Sequence, residues 1–534
     1  MLRRIRHHLR SGPLCLLSSA LIAPACTDPD GAARAVSDTH GATTSPPHGE
    51  VTHGDTDATG RLNVTATVDL AERHQTIAGF GATLIPFELP MIYFNHDATQ
   101  PKATTASLEQ RQALSRLLFE ELGMTRVRTS YRDLEPVNDN ADPNTFNWSA
   151  FLFSGSLVGA QGALSARLEP AIDFIKLSQP FGLVTHFPMT SLEWEADWLH
   201  TPGARQIAPG MEPEVAEMLA AVAKRYADEG LPLPYLSVAN EPDWGSGLER
   251  VLTTAQMVQI VKLAGARMRS LGLDTKLVIS ESYTLDMALA YAQAVLADPD
   301  ARPYLGAIAY HGYGVYGSAK AILETSGIGA PLDAEIAMRR QIRDLAASYG
   351  LPIWETETSA SIDDLGAFRA GLARVNHLHD ELTLADVSAF DQMNLFFIDR
   401  PNLEGNLVNV TFGGDGALAS FEAAPVGILM SHWARYARPG AVRVGATTTD
   451  PMVRASAFEA PGNQLVVVLI NNRADEVALQ VDVADATLGA AGQQIQTTDT
   501  TDRDPRALTP ANASGFVATL PGESVTTFVL PIAR

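Results

Sequence analysis

Eight apolar, β-rich runs recur along the chain with stretches of helical periodicity between them, and this alternation restricts the fold to a parallel sheet with helical crossovers. The runs are Thr76 to Thr83, Thr125 to Tyr131, Gly182 to Phe187, Tyr235 to Asn240, Lys276 to Ser280, Ala307 to Tyr310, Pro352 to Thr356 and Ser388 to Leu395. The clearest amphipathic stretches are Ser107 to Leu122, Glu212 to Glu229, Thr254 to Leu271 and Ala334 to Tyr349, each ending near a glycine suited to a helix C-cap. Eight such repeats close one (β/α)8 barrel of the α/β class, expected over residues 75–437. Active sites of this barrel lie at the carboxyl ends of its strands.

Past residue 437 the pattern changes to short alternating runs broken by turns: VRVGATTT, VRASAFEA, NQLVVVLINN, EVALQVDV, GFVATLPG and SVTTFVLPI. Alternation with period two predicts a small antiparallel β-sandwich over residues 438–534. The segment RLNVTATVDL, within residues 61–74, has the same alternation, and a strand there is expected to join the sandwich from the other side of the barrel.

The amino-terminal 60 residues read differently. Arg3, Arg4, Arg6 and Arg10 precede an apolar run from Leu14 to Ala25, the pattern of a signal peptide over residues 1–25. The run is too short to span a bilayer, and no other stretch is long and apolar enough, so no transmembrane helix is expected. Ala23-Pro24-Ala25 obeys the small-x-small cleavage rule, and Cys26 directly after it resembles the lipid-bearing cysteine of a bacterial lipoprotein. Simple secretion and a lipid anchor at Cys26 are both open, with Pro24 the departure from the lipoprotein pattern. Either way the expected location is outside the cytoplasm of a bacterium, secreted or held on a surface. Residues 26–60 are polar and poor in large apolar side chains, a disordered linker whose His40, His48 and His53 lack the spacing of a metal site. With Cys15 in the leader and Cys26 at the cut, the folded domains have no cysteine for a disulfide, a thiol nucleophile or a thiolate metal site.

The whole chain carries a formal charge of −22 and no basic stripe, which argues against nucleic acid and anionic membrane surfaces as partners. A Gly-x-Ser-x-Gly elbow, a His-Glu-x-x-His helix and a Gly-x-x-x-x-Gly-Lys phosphate loop are all absent from the sequence.

Two glutamates close two of the apolar runs: Glu241 in LPYLSVANEPDW and Glu357 in LPIWETETS. A carboxylate at the end of a buried strand is costly to desolvate, and chemistry that needs a proton donor and a nucleophile accounts for such a pair. Retaining glycosidases use two carboxyl groups about 5 to 5.5 Å apart. Glu355 rivals Glu357, because strand alternation puts the two on one side; it is expected one layer deeper in the barrel, with an arginine for a partner.

The strings QTIAGFGATL, TRVRTSYRDL, SVANEPDW, IWETETS, DQMNLFF and HWARYARPGAVRV, in this order and followed by a sandwich, resemble glycoside hydrolase family 30. The likeness runs from about residue 61 to the end. It implies a retaining β-glycosidase acting on a glycan or glycoconjugate without cofactor or metal, with Glu241 as general acid/base and Glu357 as nucleophile. It further implies that Arg126 keeps the nucleophile ionised, that Asn240 bonds a sugar hydroxyl and that Asp133 holds further hydroxyls. His311 and Tyr313 would orient the nucleophile and line the subsite, with Asn394 in the last strand beside them. Trp194 matches a family tryptophan that stacks on sugar, while Trp198 and Trp244 are candidates by position only. Two departures, Met189 and Met393 where many members carry tryptophan, fall at the walls of the innermost sugar site and leave the sugar open. A carbohydrate-binding protein that uses the same barrel without turnover is the alternative.

Overall fold

The computed structural model describes residues 56–84, 106–132, 134–138, 147, 149–153, 156–158, 164–166, 168–245, 250–314, 322–323, 330–359, 365–398, 405–413 and 417–533. Asp133, the leader, Cys26 and the linker histidines lie outside them.

The first long strand, β1 (Leu62–Thr76), belongs to the sandwich, and the barrel begins at β2 (Gly79–Leu84). Its other strands are β3 (Arg126–Tyr131), β4 (Thr185–Thr190), β5 (Tyr235–Ser237), β6 (Lys276–Ser282), β7 (Leu305–Tyr310), β8 (Ile353–Glu355) and β9 (Ala389–Gln392). They pair in parallel in the order β4-β3-β2-β9-β8-β7-β6-β5. The two ends of this sheet meet where the Asn240 N–H donates to the Thr190 carbonyl at 2.8 Å. Burial on both faces explains why these strands read as continuous runs: every residue of β2 and β3 is buried. Inside the barrel, Trp354 packs against Phe187 and Tyr235, with ring centres 5.7 and 4.8 Å away. Gly81 lets β2 approach β3, since a Cβ there would lie 2.2 Å from the Arg126 carbonyl oxygen.

The helical layer includes α1 (Leu108–Ser115), α2 (Leu168–Ser178), α3 (Glu212–Asp228), α4 (Thr254–Ser270), α5 (Leu285–Ala297), α6 (Ala330–Ser348) and α7 (Ala367–Leu384), followed by α8 (Pro425–Ala434). Ser107 with Gln110 and Thr253 with Gln256 form capping boxes that start α1 and α4. Apolar faces of these helices pack on the sheet, but α7 is different: Arg374, Asn376, His377, His379, Asp380 and Glu381 are all buried in it.

Most strand limits differ from the sequence expectation by a residue or more, and Thr76, expected to open the first barrel strand, ends β1 instead; three of the differences have local reasons. The third run begins at Thr185 instead of Gly182, because Gly182 takes φ +115° to end the preceding helical turn. The fourth and eighth runs leave the sheet early, where Glu241 and Asn394 adopt φ values of +39° and +73° and turn the chain into the barrel mouth.

The sandwich strands are β10 (Val442–Thr448), β11 (Val453–Ala460), β12 (Gln464–Asn471), β13 (Val477–Ala484), β14 (Gly492–Thr498), β15 (Thr501–Leu508), β16 (Gly515–Leu520) and β17 (Ser524–Ala533). Hydrogen bonds link them in the path β15-β14-β17-β12-β11-β10-β1-β13-β16. β1 is therefore interior to the path, antiparallel to β10 and parallel to β13. Its alternate residues Val64, Ala66, Val68 and Leu70 enter the sandwich core with Val467, Leu469, Val481 and Phe528.

Candidate active site

The carboxyl ends of β3, β5, β6, β7 and β8 bring seven polar side chains together. Arg128 on β3 is fully buried and acts as the hub: Nη1 donates to Glu357 Oε2 at 2.8 Å, while Nη2 donates to Asn240 Oδ1 at 2.6 Å and to Glu281 Oε2. Tyr313 donates its hydroxyl to Glu357 Oε1 at 2.8 Å. His311 Nδ1 lies 2.9 Å from Glu241 Oε1 and 4.0 Å from Glu357 Oε1, and its Nε2 lies 3.6 Å from Glu281 Oε2. One carboxylate oxygen of Glu241, one of Glu357 and a ring nitrogen of His311 all fall within 4.8 Å of one another.

Local backbone builds this geometry. β5 ends at Ser237, and Glu241 reaches the mouth with φ +39°, its N–H donating to the Glu281 carbonyl at 2.9 Å. Glu281 itself has φ +49°. Two non-glycine residues in the left-handed region each cost about 1–3 kcal/mol, which the surrounding buried hydrogen bonds offset.

The two carboxyl groups sit in opposite electrostatic settings. Burial raises the Glu241 pKa, and the charges of Glu357 and Asp243 reinforce it against the opposing hydrogen bond from His311. Burial also penalises the Glu357 carboxylate, but the charges of His311 and Arg128 and the hydrogen bonds from Tyr313 and Arg128 outweigh it, and its pKa is lowered. Burial works against protonation of His311 as well; the neighbouring carboxylates Glu357, Glu241 and Glu281 prevail and bring it to about 9. The mouth thus holds an imidazolium, an ionised carboxylate and a carboxyl that keeps its proton to higher pH. The Glu241, His311 and Glu357 atoms have the spacing of metal donors, yet Arg128 and Tyr313 already donate to both oxygens of Glu357 and His311 donates to Glu241.

Arg126 is a correction. Its guanidinium lies below the mouth, 4.4 Å over the Trp354 ring and 5.2 Å over Phe187, and its Nη2 donates to Asp391 at 2.9 Å. Arg126 and Arg128 share one face of β3, and two residues of strand rise, almost 7 Å, decide which reaches Glu357. Glu355 is a second correction. Trp354 occupies the barrel interior, so Glu355 faces the helices, within 3.3 Å of His377 on α7. β8 ends at Glu355, and the alternation that would carry Glu357 to the same side stops with it.

Trp244 packs edge-on against Tyr283 at 5.1 Å, and Tyr283 lies 5.4 Å from Tyr313, so an aromatic row leads away from Glu357. Asp243 fixes this row by accepting the Tyr283 and Thr284 N–H groups at 2.9 Å. Trp194 is 40% exposed after β4, with the Arg205 guanidinium 5.0 Å over its ring. Trp198 instead anchors a loop, donating Nε1 to the Glu135 carbonyl at 3.0 Å. Asn394 is buried, and neither side-chain amide atom has a hydrogen-bond partner among the described residues. Met393 Sδ lies 3.6 Å from the Tyr313 hydroxyl, and Met189 is buried two residues beyond Phe187 on β4. Arg128 and Glu281 were absent from the sequence expectation. Both had a signal: Arg128 repeats Arg126 at period two, and Glu281 closes the apolar run KLVISES as Glu241 and Glu357 close theirs.

Residues 440–528 match the glycosyl hydrolase family 30 beta sandwich domain. Those residues carry the family 30 sandwich. A Caenorhabditis elegans protein that bears the glucosylceramidase name is 23% identical over 449 residues, 78% of this chain and 77% of its own. The family 30 subfamily 8 xylanase Xyn30A of Clostridium acetobutylicum superposes with a TM-score of 0.61 at 21% identity, covering 88% of this chain and 99% of that one. The catalytic domain of the family 30 xylanase C of Talaromyces cellulolyticus does so with a TM-score of 0.64 at 20% identity, covering 87% and 99%. The chain therefore has the barrel and sandwich of these structures.

Proposed function

We propose that the enzyme is an exported retaining β-glycosidase in which Glu357 attacks the anomeric carbon and Glu241 serves first as acid and then as base. The observation that carries this reading is the pairing of two buried carboxyl groups with oxygens within 4.8 Å and pKa values driven in opposite directions. In the first step Glu357 forms an ester to the sugar as the glycosidic bond breaks, and the Glu241 proton goes to the leaving oxygen. In the second, Glu241 takes a proton from water, the water oxygen bonds to the anomeric carbon and Glu357 leaves as carboxylate. Xylanase and glucosylceramidase relatives favour a β-linked polysaccharide or glycoconjugate as substrate, and the aromatic row from Tyr313 to Trp244 offers its apolar sugar faces a surface. Export rests on the arginine-led apolar leader and Ala23-Pro24-Ala25.

A panel of aryl β-glycosides and β-glycans, with product anomers read by NMR, tests the reaction. Glu357→Gln and Glu241→Gln are expected to lower kcat/KM by roughly 10²–10⁴-fold or more, and a 2-deoxy-2-fluoro glycoside should label Glu357. Label on another carboxylate, or full turnover by Glu357→Gln, refutes the assignment; glycan binding with no turnover by the wild type makes the protein a binder.

A further inference from the structure

Behind the strand that leads to Glu357 lies a second cluster of ionisable groups, which the proposed reaction does not use. Glu355 comes from β8, Tyr310 from β7, Arg339 from α6, and Arg374, His377 and Glu381 from α7; all are buried. Arg374 Nη2 donates to His377 Nδ1 at 2.8 Å. A guanidinium can only donate, so Nδ1 accepts and the imidazole proton sits on Nε2. That N–H faces Glu381 Oε1 at 3.2 Å and Glu355 Oε2 at 3.3 Å. Glu381 also accepts from Arg339 Nε and, at 2.6 Å, from the Tyr310 hydroxyl, an arrangement that suits an ionised carboxylate.

Glu355 is placed otherwise. Among the described residues, neither of its oxygens has a hydrogen-bond partner of good geometry. An ionised carboxylate buried there without donors costs several kcal/mol, whereas a protonated one is cheaper and can itself donate toward Glu381. Burial and the Glu381 charge push in that direction, against Arg339 and Arg374. Oxygens of Glu355 and Glu381 and a nitrogen of His377 lie within 4.8 Å of one another, as metal donors do. The proton on His377 Nε2 removes the lone pair a metal would need, and two guanidinium groups adjoin the cluster.

The cluster reaches the proposed nucleophile from both sides. Glu355 precedes Glu357 by two residues, and Arg374 Nη2 donates to Thr358 Oγ1, directly after it, at 2.8 Å. The Thr358 carbonyl in turn accepts from the Met393 N–H at 2.7 Å and Gln392 Nε2 at 2.8 Å. We propose that Glu355 is a neutral carboxylic acid and the positioning residue of Glu357, holding it through the inward face of α7. The inference rests on the reading of Glu357 as nucleophile.

Glu355→Gln keeps shape and neutrality, and should retain kcat/KM within about fivefold, the scale of one ordinary hydrogen bond. Glu355→Ala should lose about 100-fold in kcat, the scale of a misplacement near 1 Å, with KM little changed and labelling by the 2-deoxy-2-fluoro glycoside slowed in parallel. The infrared difference spectrum of wild type minus Glu355→Gln at neutral pH should show the carbonyl band of an unionised carboxyl, a readout that needs no substrate and no alanine variant. Loss of activity by Glu355→Gln equal to that of Glu355→Ala, carboxylate bands alone in the difference spectrum, or a stoichiometric metal lost on Glu355→Gln each overturns the proposal. Failure of the glycosidase reading shows separately, as a wild type inactive on every glycoside.

Discussion

His311 touches both proposed catalytic groups, and its charge lowers the pKa of each. Replacing it by asparagine removes that charge, so Glu357 should ionise at higher pH and Glu241 should keep its proton to higher pH. Both limbs of the bell-shaped kcat/KM profile of His311→Asn are therefore expected to move up in pH; a downward shift of either limb contradicts the geometry. Arg126 belongs to a different ledger. Its partner Asp391 is buried inside the barrel, and Arg126→Met leaves that carboxylate without its cation, a change that costs about 3–5 kcal/mol. Urea unfolding should show this loss, and the double variant Arg126→Met/Asp391→Leu should recover most of it, with turnover per folded molecule little changed. The sequence placed two arginines on one face of β3 but held no measure of height within the barrel, which is why Arg126 and Arg128 were exchanged. Glu281 was open to detection, since it ends an apolar run as the other two glutamates do.

The barrel strands were legible because parallel strands buried on both faces stand out as unbroken apolar runs. Their ends were not. The last residues of β5, β8 and β9 leave the sheet to enter the mouth, and Glu241 and Asn394 do so with left-handed backbone that no period-two pattern reveals. The same departure separates Glu355 from Glu357. β1 was legible for the opposite reason: one face is buried and the other exposed, so its alternation is clean. Its position in the sheet gives a sharp expectation. Without β1, β10 and β13 lose their shared neighbour, and Val64, Ala66, Val68 and Leu70 leave the core. Those side chains contribute roughly 5 kcal/mol or more, a large part of ordinary domain stability. A chain that starts at Ile77 should show no cooperative thermal transition, and soluble, fully active protein from it would contradict this role.

At the scale of the molecule, polar contacts buried between barrel and sandwich join the two. Arg454 on β11 donates to Asp380 and, at 3.0 Å, to Asn376 Oδ1, on the outward face of α7, the helix whose inward face carries His377 and Glu381. His432 on α8 bridges Thr527 Oγ1 at 2.7 Å and Thr497 Oγ1 at 2.8 Å, both on sandwich strands. Burial, with the charges of Arg503 and Arg435 adding to it, depresses the His432 pKa to about 3. The folded state therefore refuses a proton that the unfolded chain accepts near pH 6.5. Between these two values the unfolded state binds more protons, so this group's contribution to stability falls as pH drops from 6.5 toward 3. Each such histidine contributes a slope of about 1.4 kcal/mol per pH unit inside that window. His432→Gln keeps a side chain able to bond a threonine but cannot titrate. Its unfolding free energy between pH 6 and pH 4 should fall less steeply than that of the wild type by about that slope, while both proteins unfold in a single transition. An unchanged slope would mean that His432 is already protonated at the interface, and separate transitions for barrel and sandwich would mean that the interface does not couple them.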